Sequence, residues 1–279
     1  MIDENDYWNY ALEVFRHLGS PLRPESVEIA FMEQKVRDWI TAHPHHRQSS
    51  ALVLGVTTEI VGMDWPDPVE LTAVDESESM IEEFWPGDKA GKRTLIQGNW
   101  FDFPAEQHSF DFILGDGVFN IPEFPKGYAT LARRMAGLLK PDGVMIVRLF
   151  TQLENKEDPQ DIVTEIKASE SYDYWSMRYR FITSLQKSAQ TGIFAGTVPT
   201  NRELEKRGIS GDEFIQKTKH KAIPMPELPP EGMDGLLINF PTQNEFIETL
   251  AEYFQVTEVG YGEHAMAYRC PIYCLTPVY

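Results

Sequence analysis

Between residues 51 and 150 apolar and polar positions alternate in blocks. Short apolar runs at 51–55, 70–75, 93–97, 111–115 and 143–150 have the length and composition of buried strands. The segments 57–64, 77–85 and 125–139 between them read as helices. In the last of these, Tyr128, Leu131, Met135 and Leu138 form one apolar stripe. Strands alternating with helices predict a parallel sheet covered on both faces, with its ligand edge at the C-terminal ends of the strands.

The flanks are patterned differently. In the first 45 residues, Trp8, Leu12 and Phe15 and then Ile29, Met32, Val36 and Trp39 fall at helical spacing, with Gly19, Pro21 and Pro24 between the two sets. The stretch 43–50 holds three histidines and a proline and reads as a solvated linker rather than a metal site. After residue 150 strand signals fade. Polar helical pieces are expected near 159–169, 172–188 and 201–218, followed by the proline-rich stretch 223–230. The run 172–181 is aromatic on two faces, Tyr174, Met177, Phe181 and Leu185 on one, Tyr172, Trp175 and Tyr179 on another. One face is needed for packing; the other could line a pocket or meet a second copy in a homodimer.

The last segment resumes the first pattern. Thr242 and Glu245 form a capping box, and Phe246, Leu250 and Phe254 supply a buried helical face. Two strands are expected near 255–261 and 266–276, joined through Gly262-Glu-His264, a connection short enough to require an antiparallel pair. The organisation is therefore helices at 1–45, a core made of 51–150 and 240–279, and a helical cap inserted at 151–239. The fold class is α/β, a Rossmann-like seven-stranded, mostly parallel sheet with an antiparallel final strand.

Composition narrows the partners. A chain of 279 residues can bury one large core, and 42% hydrophobic with 24% charged residues is ordinary for a globular protein. The formal charge of −18 argues against a nucleic-acid backbone as partner. The acidic first ten residues lack a signal-peptide pattern, and no window approaches a membrane span, so a cytoplasmic protein without a membrane partner is expected. Cys270 and Cys274 are too few for a disulfide framework or a zinc site; four apart in a strand, they would share a face as buried thiols. No metal is expected.

The candidate chemistry lies at the strand ends. The first run ends in Gly55-Val-Thr-Thr-Glu59, where a glycine allows close approach of a ligand and Thr57, Thr58 and Glu59 open a helix. The second ends in Asp75 and Glu76, and Asp75 is placed to accept hydrogen bonds from ribose hydroxyls. The third is followed by Gly98-Asn99-Trp100, where Asn99 could pair with an exocyclic amine and Trp100 could contact a ring. The fourth ends in Gly115-Asp116-Gly117. No nucleophile triad is visible and no catalytic residue is singled out. His108, His220 and His264 are undistinguished candidates for a base, and Arg148, Tyr7 and Tyr10 are weaker pocket candidates.

Together these residues resemble the class I S-adenosylmethionine-dependent methyltransferases. The resemblance covers 51–150 and the closing helix and strand pair. It implies that Gly55 matches the first glycine of the turn beside the methionine moiety, Asp75 the ribose-binding acid and Asn99 the adenine-pairing residue. Gly115 and Asp116 match the loop bordering the methyl group. The cofactor would be S-adenosyl-L-methionine. Val53 stands where the family usually has an acid, and Thr57 and Glu59 replace later glycines of the turn. The chain is similar in this to a bacterial subgroup with a Gly-Val-Thr-Pro-Glu turn. Glu59 or Asp116 would then supply the anionic contact that Val53 cannot. The Asn/Asp-Pro-Pro-Tyr loop of amino-methylating nucleic-acid enzymes is replaced by Gly115-Asp-Gly-Val-Phe-Asn120, which with the acidic charge points to a small-molecule acceptor. The alternatives are a non-catalytic cofactor-binding protein and a nicotinamide-dependent oxidoreductase. The latter is disfavoured by the missing G-x-G-x-x-G and the antiparallel strand.

Overall fold

A computed structural model describes residues 12, 15–16, 18–45, 48–67, 69–218 and 236–279. Strands β1 (Ser49–Leu54), β2 (Val69–Asp75), β3 (Arg93–Gln97), β4 (Phe110–Asp116) and β5 (Leu139–Arg148) are mutually parallel, in the spatial order β3-β2-β1-β4-β5. Two short strands at Ile193–Phe194 (β6) and Leu237–Ile238 (β7) pair antiparallel in a separate ribbon. The sheet is completed by β8 (Phe254–Gly260) and β9 (Ile272–Pro277), giving seven strands in the order β3-β2-β1-β4-β5-β9-β8. Only β9 runs against the rest. It pairs antiparallel with both β5 and β8, which leaves β8 aligned with the other strands.

Strand alternation divides the core into two halves. Leu52, Leu54, Ile113, Met145, Val147, Tyr273 and Leu275 face one side. Ala51, Val53, Phe112, Leu114, Ile146, Ile272 and Cys274 face the other. Apolar residues on both faces explain why the strand sequences read as continuous runs. Helix α1 (Ser26–Ala42) covers the second face with Met32, Val36 and Trp39; the Trp39 ring meets Phe112 edge-on at 4.9 Å. Helices α4 (Lys126–Leu138) and α9 (Gln243–Leu250) cover the first face with Tyr128, Leu131, Met135, Phe246 and Leu250. The remaining helices are α2 (Thr58–Val61) and α3 (Glu78–Phe84) after β1 and β2. Beyond β5 come α5 (Pro159–Ala168), α6 (Tyr174–Leu185), α7 (Thr197–Glu205) and α8 (Gly211–Gln216).

Several expectations shift. The helix expected at 57–64 is one turn long, because Gly62 closes it through its N–H to the Thr58 carbonyl. Strand β5 starts at Leu139 rather than 143. Leu139 pairs with Phe110 and the next pairing is Phe112 with Val144, so the Pro141-Asp142-Gly143 turn bulges out of the ladder. The short link between the last two strands is a longer loop. Residues 267–269 form a 3₁₀ turn and β9 begins only at Ile272. Cys270 therefore lies outside the strand and does not share a face with Cys274. Both thiols are buried and free, and burial pushes each to a pKa of about 12. The expected helix at 201–218 is two, α7 and α8, the second opened by a Ser210–Glu213 capping box. The aromatic residues at and before α6 are used within the chain: Tyr172, Tyr174 and Trp175 pack in the core formed by α5–α8, and Tyr179 in a second cluster with Phe240 and Met266. Trp8, Tyr7, Tyr10, His220 and the proline-rich stretch 223–230 fall outside the described residues.

The residues before α1 connect these layers. Leu18 and Leu22 pack against the α5–α8 core, while Pro21 and Arg23 bond to the C-terminal edge of the sheet. This strap lies between the two.

Candidate functional site

The C-terminal ends of β1–β3 meet at Gly55 and Asp75. Gly55 adopts φ +89°, a conformation that disfavours any side chain, and its N–H donates to the Val74 carbonyl at 2.8 Å. Asp75 Oδ2 accepts the Val56 N–H at 3.1 Å and Oδ1 the Ser77 N–H at 2.9 Å. A Cβ at Gly55 would lie 3.7 Å from Asp75 Oδ2 and 3.8 Å from the Trp100 ring. The turn, the acid and the indole thus lie against one another. Burial lifts the Asp75 pKa to about 6, against the opposing effect of those N–H groups.

Asn99 and Glu76 join this group. Asn99 Nδ2 donates to Glu76 Oε2 at 2.9 Å, and its Oδ1 accepts the Phe101 N–H at 2.9 Å. One amide hydrogen and one oxygen lone pair remain for another partner. The Trp100 indole N–H donates to the Val74 carbonyl at 2.9 Å, which fixes the ring against the turn. The structure therefore brings Gly55, Asp75, Glu76, Asn99 and Trp100 together by direct contact. Thr57 and Thr58 follow in the same turn, at the start of a helix too short to build a macrodipole.

The second half of the site is electrostatic. Glu59 is held by Arg23 in a two-pronged pair, Nε–Oε1 2.8 Å and Nη2–Oε2 2.6 Å, and Arg23 also lies over the Phe84 ring. Asp116 is held by Arg148 Nη1 at 2.7 Å. Arg148 is wholly buried, and its Nε donates to Glu28 Oε1 at 2.9 Å while Nη2 donates to the Pro21 carbonyl. Burial raises the Asp116 pKa, with Arg148 opposing. Burial also pushes Glu28 up, but His264, Arg148 and the Glu25 N–H together hold it below the usual carboxylate value. The strap and α1 thus hand a carbonyl and a carboxylate to the arginine that orients Asp116. Sequence reading raised Arg148 only as a weak pocket candidate and missed Arg23 and Glu28. Their partners lie far along the chain, and no local spacing links them.

Gly115 and Gly117 are both required. A Cβ at Gly115 would stand 2.7 Å from Val118 Cγ1, and Gly117 has φ +65° with the Phe150 ring 2.9 Å from where its Cβ would be. Asn120 at the end of this loop is committed to structure. It accepts the Phe150 N–H and donates to the Phe150 and Asn239 carbonyls. The histidines fare less well as bases. His264 Nδ1 accepts the Met266 N–H at 3.2 Å, which leaves the proton on Nε2, 3.5 Å from Glu28. His108 is exposed near the N-terminal end of β4, with Nδ1 bonded to the Leu139 carbonyl, away from the strand ends that form the site.

Asp75 keeps acceptor capacity beside a side-chain-free turn, and Asn99 keeps both a donor and an acceptor. Among the described residues, no three His, Cys, Asp or Glu side chains are grouped to hold a metal ion, and no helix is long and apolar enough to cross a membrane.

No protein-family model matches the sequence, and no curated protein matches it. Solved structures do. A protein from Rhodobacter sphaeroides carrying the name of a zinc-dependent alcohol dehydrogenase superposes with a TM-score of 0.53 at 13% identity, over 100% of both chains. The CurJ carbon methyltransferase superposes with a TM-score of 0.50 at 14% identity, over 91% of this chain and 56% of that one. The N-methyltransferase NodS from Bradyrhizobium japonicum, in complex with S-adenosyl-L-homocysteine, gives a TM-score of 0.49 at 11% identity over 98% of each chain. At such identities the likeness to the first two is one of fold, a Rossmann-like sheet of seven strands with a single antiparallel member.

Proposed function

We propose that this protein is an S-adenosylmethionine-dependent methyltransferase acting on a small-molecule nucleophile in the cytoplasm, without nucleic acid or membrane as partner. The observation that carries this reading is the joining of Gly55, Asp75, Glu76, Asn99 and Trp100 at the strand ends of a sheet with methyltransferase topology. In this reading Asp75 holds the ribose hydroxyls and Asn99 the adenine edge. The turn at Gly55, Thr57 and Thr58 lies along the methionine moiety, and Gly115 and Asp116 border the methyl group. The bound cofactor supplies an electrophilic methyl group. The chain's own part is to hold a nucleophile in line with it and to keep water out. The helical segment 151–239 and the strap serve as the cap, and the finer assignment to a Gly-Val-Thr-Pro-Glu-like subgroup belongs to the same proposal.

Glu59 or Asp116 remains the proposed anionic contact for the cofactor ammonium, and each is paired with an arginine. Isothermal titration with S-adenosylmethionine, S-adenosylhomocysteine and NAD tests the reading. The two sulfur compounds should bind and NAD should not. Absence of binding by both would overturn it, and binding of NAD instead would favour an oxidoreductase. S-adenosylhomocysteine binding without turnover on any nucleophile would favour a non-catalytic binding protein. If Glu59→Gln and Asp116→Asn both bound cofactor as tightly as the parent, the ammonium assignment would be lost.

A further inference from the structure

Three arginines are buried among the described residues, and two have carboxylates. Arg148 pairs with Asp116 and Glu28, and Arg269 with Glu157. The third, Arg178 on α6, is 6% exposed and forms no ion pair among the described residues. Its Nη2 donates to the Ala195 carbonyl at 3.0 Å and its Nη1 reaches the Tyr174 hydroxyl at a long 3.4 Å. Acids do lie near this helix, but other arginines take them. Arg180, two residues on, holds both Glu157 and Glu165. A guanidinium carries five N–H donors and stays charged in a protein, so Arg178 is a desolvated cation met by two neutral oxygens. A buried charge without a counter-charge is costly, and removing it removes that cost.

The surroundings say what would complete it. The Ala195 that receives Nη2 packs against the cluster of Tyr179, Ile182 and Phe240, which Phe150 also joins. Phe150 abuts Gly117 in the loop after β4 and meets the Tyr179 ring edge-on at 5.8 Å. Tyr179 in turn donates its hydroxyl to the Thr151 carbonyl, just beyond the end of β5. Arg178 is thereby tied through apolar and aromatic side chains to the Gly115–Gly117 loop. A planar fork in apolar surroundings suits a planar monoanion, which binds it in two parallel hydrogen bonds. A phosphate dianion would leave one charge uncompensated there.

We propose that Arg178 is the recognition site for the carboxylate of a small carboxylic acid with an apolar or aromatic body, and that this acid is the methyl acceptor. The second clause rests on the methyltransferase reading; the first does not. The test uses the full chain and titrates benzoate, phenylacetate and hexanoate, each beside its primary amide, together with phenyl phosphate. At least one acid should bind at least tenfold more tightly than its amide, and phenyl phosphate should bind more weakly than that acid. Arg178→Met should lose the acid by tenfold or more, while Arg133→Met, at an exposed arginine, should not. Without ligand, Arg178→Met should melt no lower than the parent. Equal binding of acid and amide, undiminished binding by Arg178→Met, tighter binding of phenyl phosphate, or a lower melting point for Arg178→Met would each overturn the assignment. Acid binding at Arg178 with no binding of S-adenosylmethionine would leave the site standing and remove methyl transfer.

Discussion

Asp75 sits partly buried between two backbone N–H groups, and burial has moved its pKa to about 6. The direction matters for what it can hold. Below that value the carboxyl is protonated and cannot accept two hydroxyl hydrogen bonds as an anion does. Above it the charge is present and awaits donors. If Asp75 holds a ribose, affinity for S-adenosylhomocysteine should be level at pH 7–8 and weaken as pH falls through about 6. Titrations across that range check it, and Asp75→Asn should bind weakly and without the inflection. The linkage to folding has the opposite sense. An acid raised above its ordinary value costs stability as pH climbs from about 4 to about 6. The presence of Asp75 at the strand end was legible from its run of apolar neighbours. Its elevated pKa was not, since burial depends on the turn and indole packed around it.

At the level of elements, Arg148 joins four of them: β5 that bears it, the loop after β4 through Asp116, α1 through Glu28, and the strap through the Pro21 carbonyl. Arg148→Met would leave two carboxylates buried without their cation. The expected loss is about 3–5 kcal/mol, read from chemical denaturation at pH 7.5. No such loss is expected for Arg178, although both arginines are buried, because Arg148 has counter-charges and Arg178 has none among the described residues. Such relations explain which elements sequence could place. The strands at 93–97 and 111–115 were readable because an apolar run bounded by turn residues carries its own signal. The strap could not be read as a strap, because Arg23–Glu59 and Arg148–Glu28 join segments with no shared period. The ribbon of β6 and β7 was missed for a related reason. It has two residues a strand, too short for alternation to show, and its partners are separated by the whole of α7 and α8.

For the whole molecule, the formal charge of −18 is a physical load as well as a clue to partners. Self-repulsion of that size opposes compaction, and added salt screens it. The melting temperature should therefore rise between about 10 mM and about 150 mM sodium chloride, the range over which the Debye length drops from about 30 Å to about 8 Å. A flat response would mean that local pairs such as Arg16–Glu83 and Lys35–Glu258 already offset the excess. The global topology was legible because two features combined: the βα alternation and a closing strand pair too close in sequence to be parallel. The loop that separates that pair was underestimated. Its 3₁₀ turn buries Arg269, which binds Glu157 in the inserted segment, a contact visible only once the chain is folded.

The antiparallel strand has a consequence in time. It fills the space between β5 and β8, and both of those are made before it. As the chain leaves the ribosome, five parallel strands can assemble, but the face of β5 that β9 covers stays open through synthesis of all the inserted helices. Strand β8 has no neighbour to dock on until Ile272–Pro277 emerges. Completion of the sheet therefore waits for Ile272–Pro277, and until that segment is made the edge of β5 it covers stands unpaired.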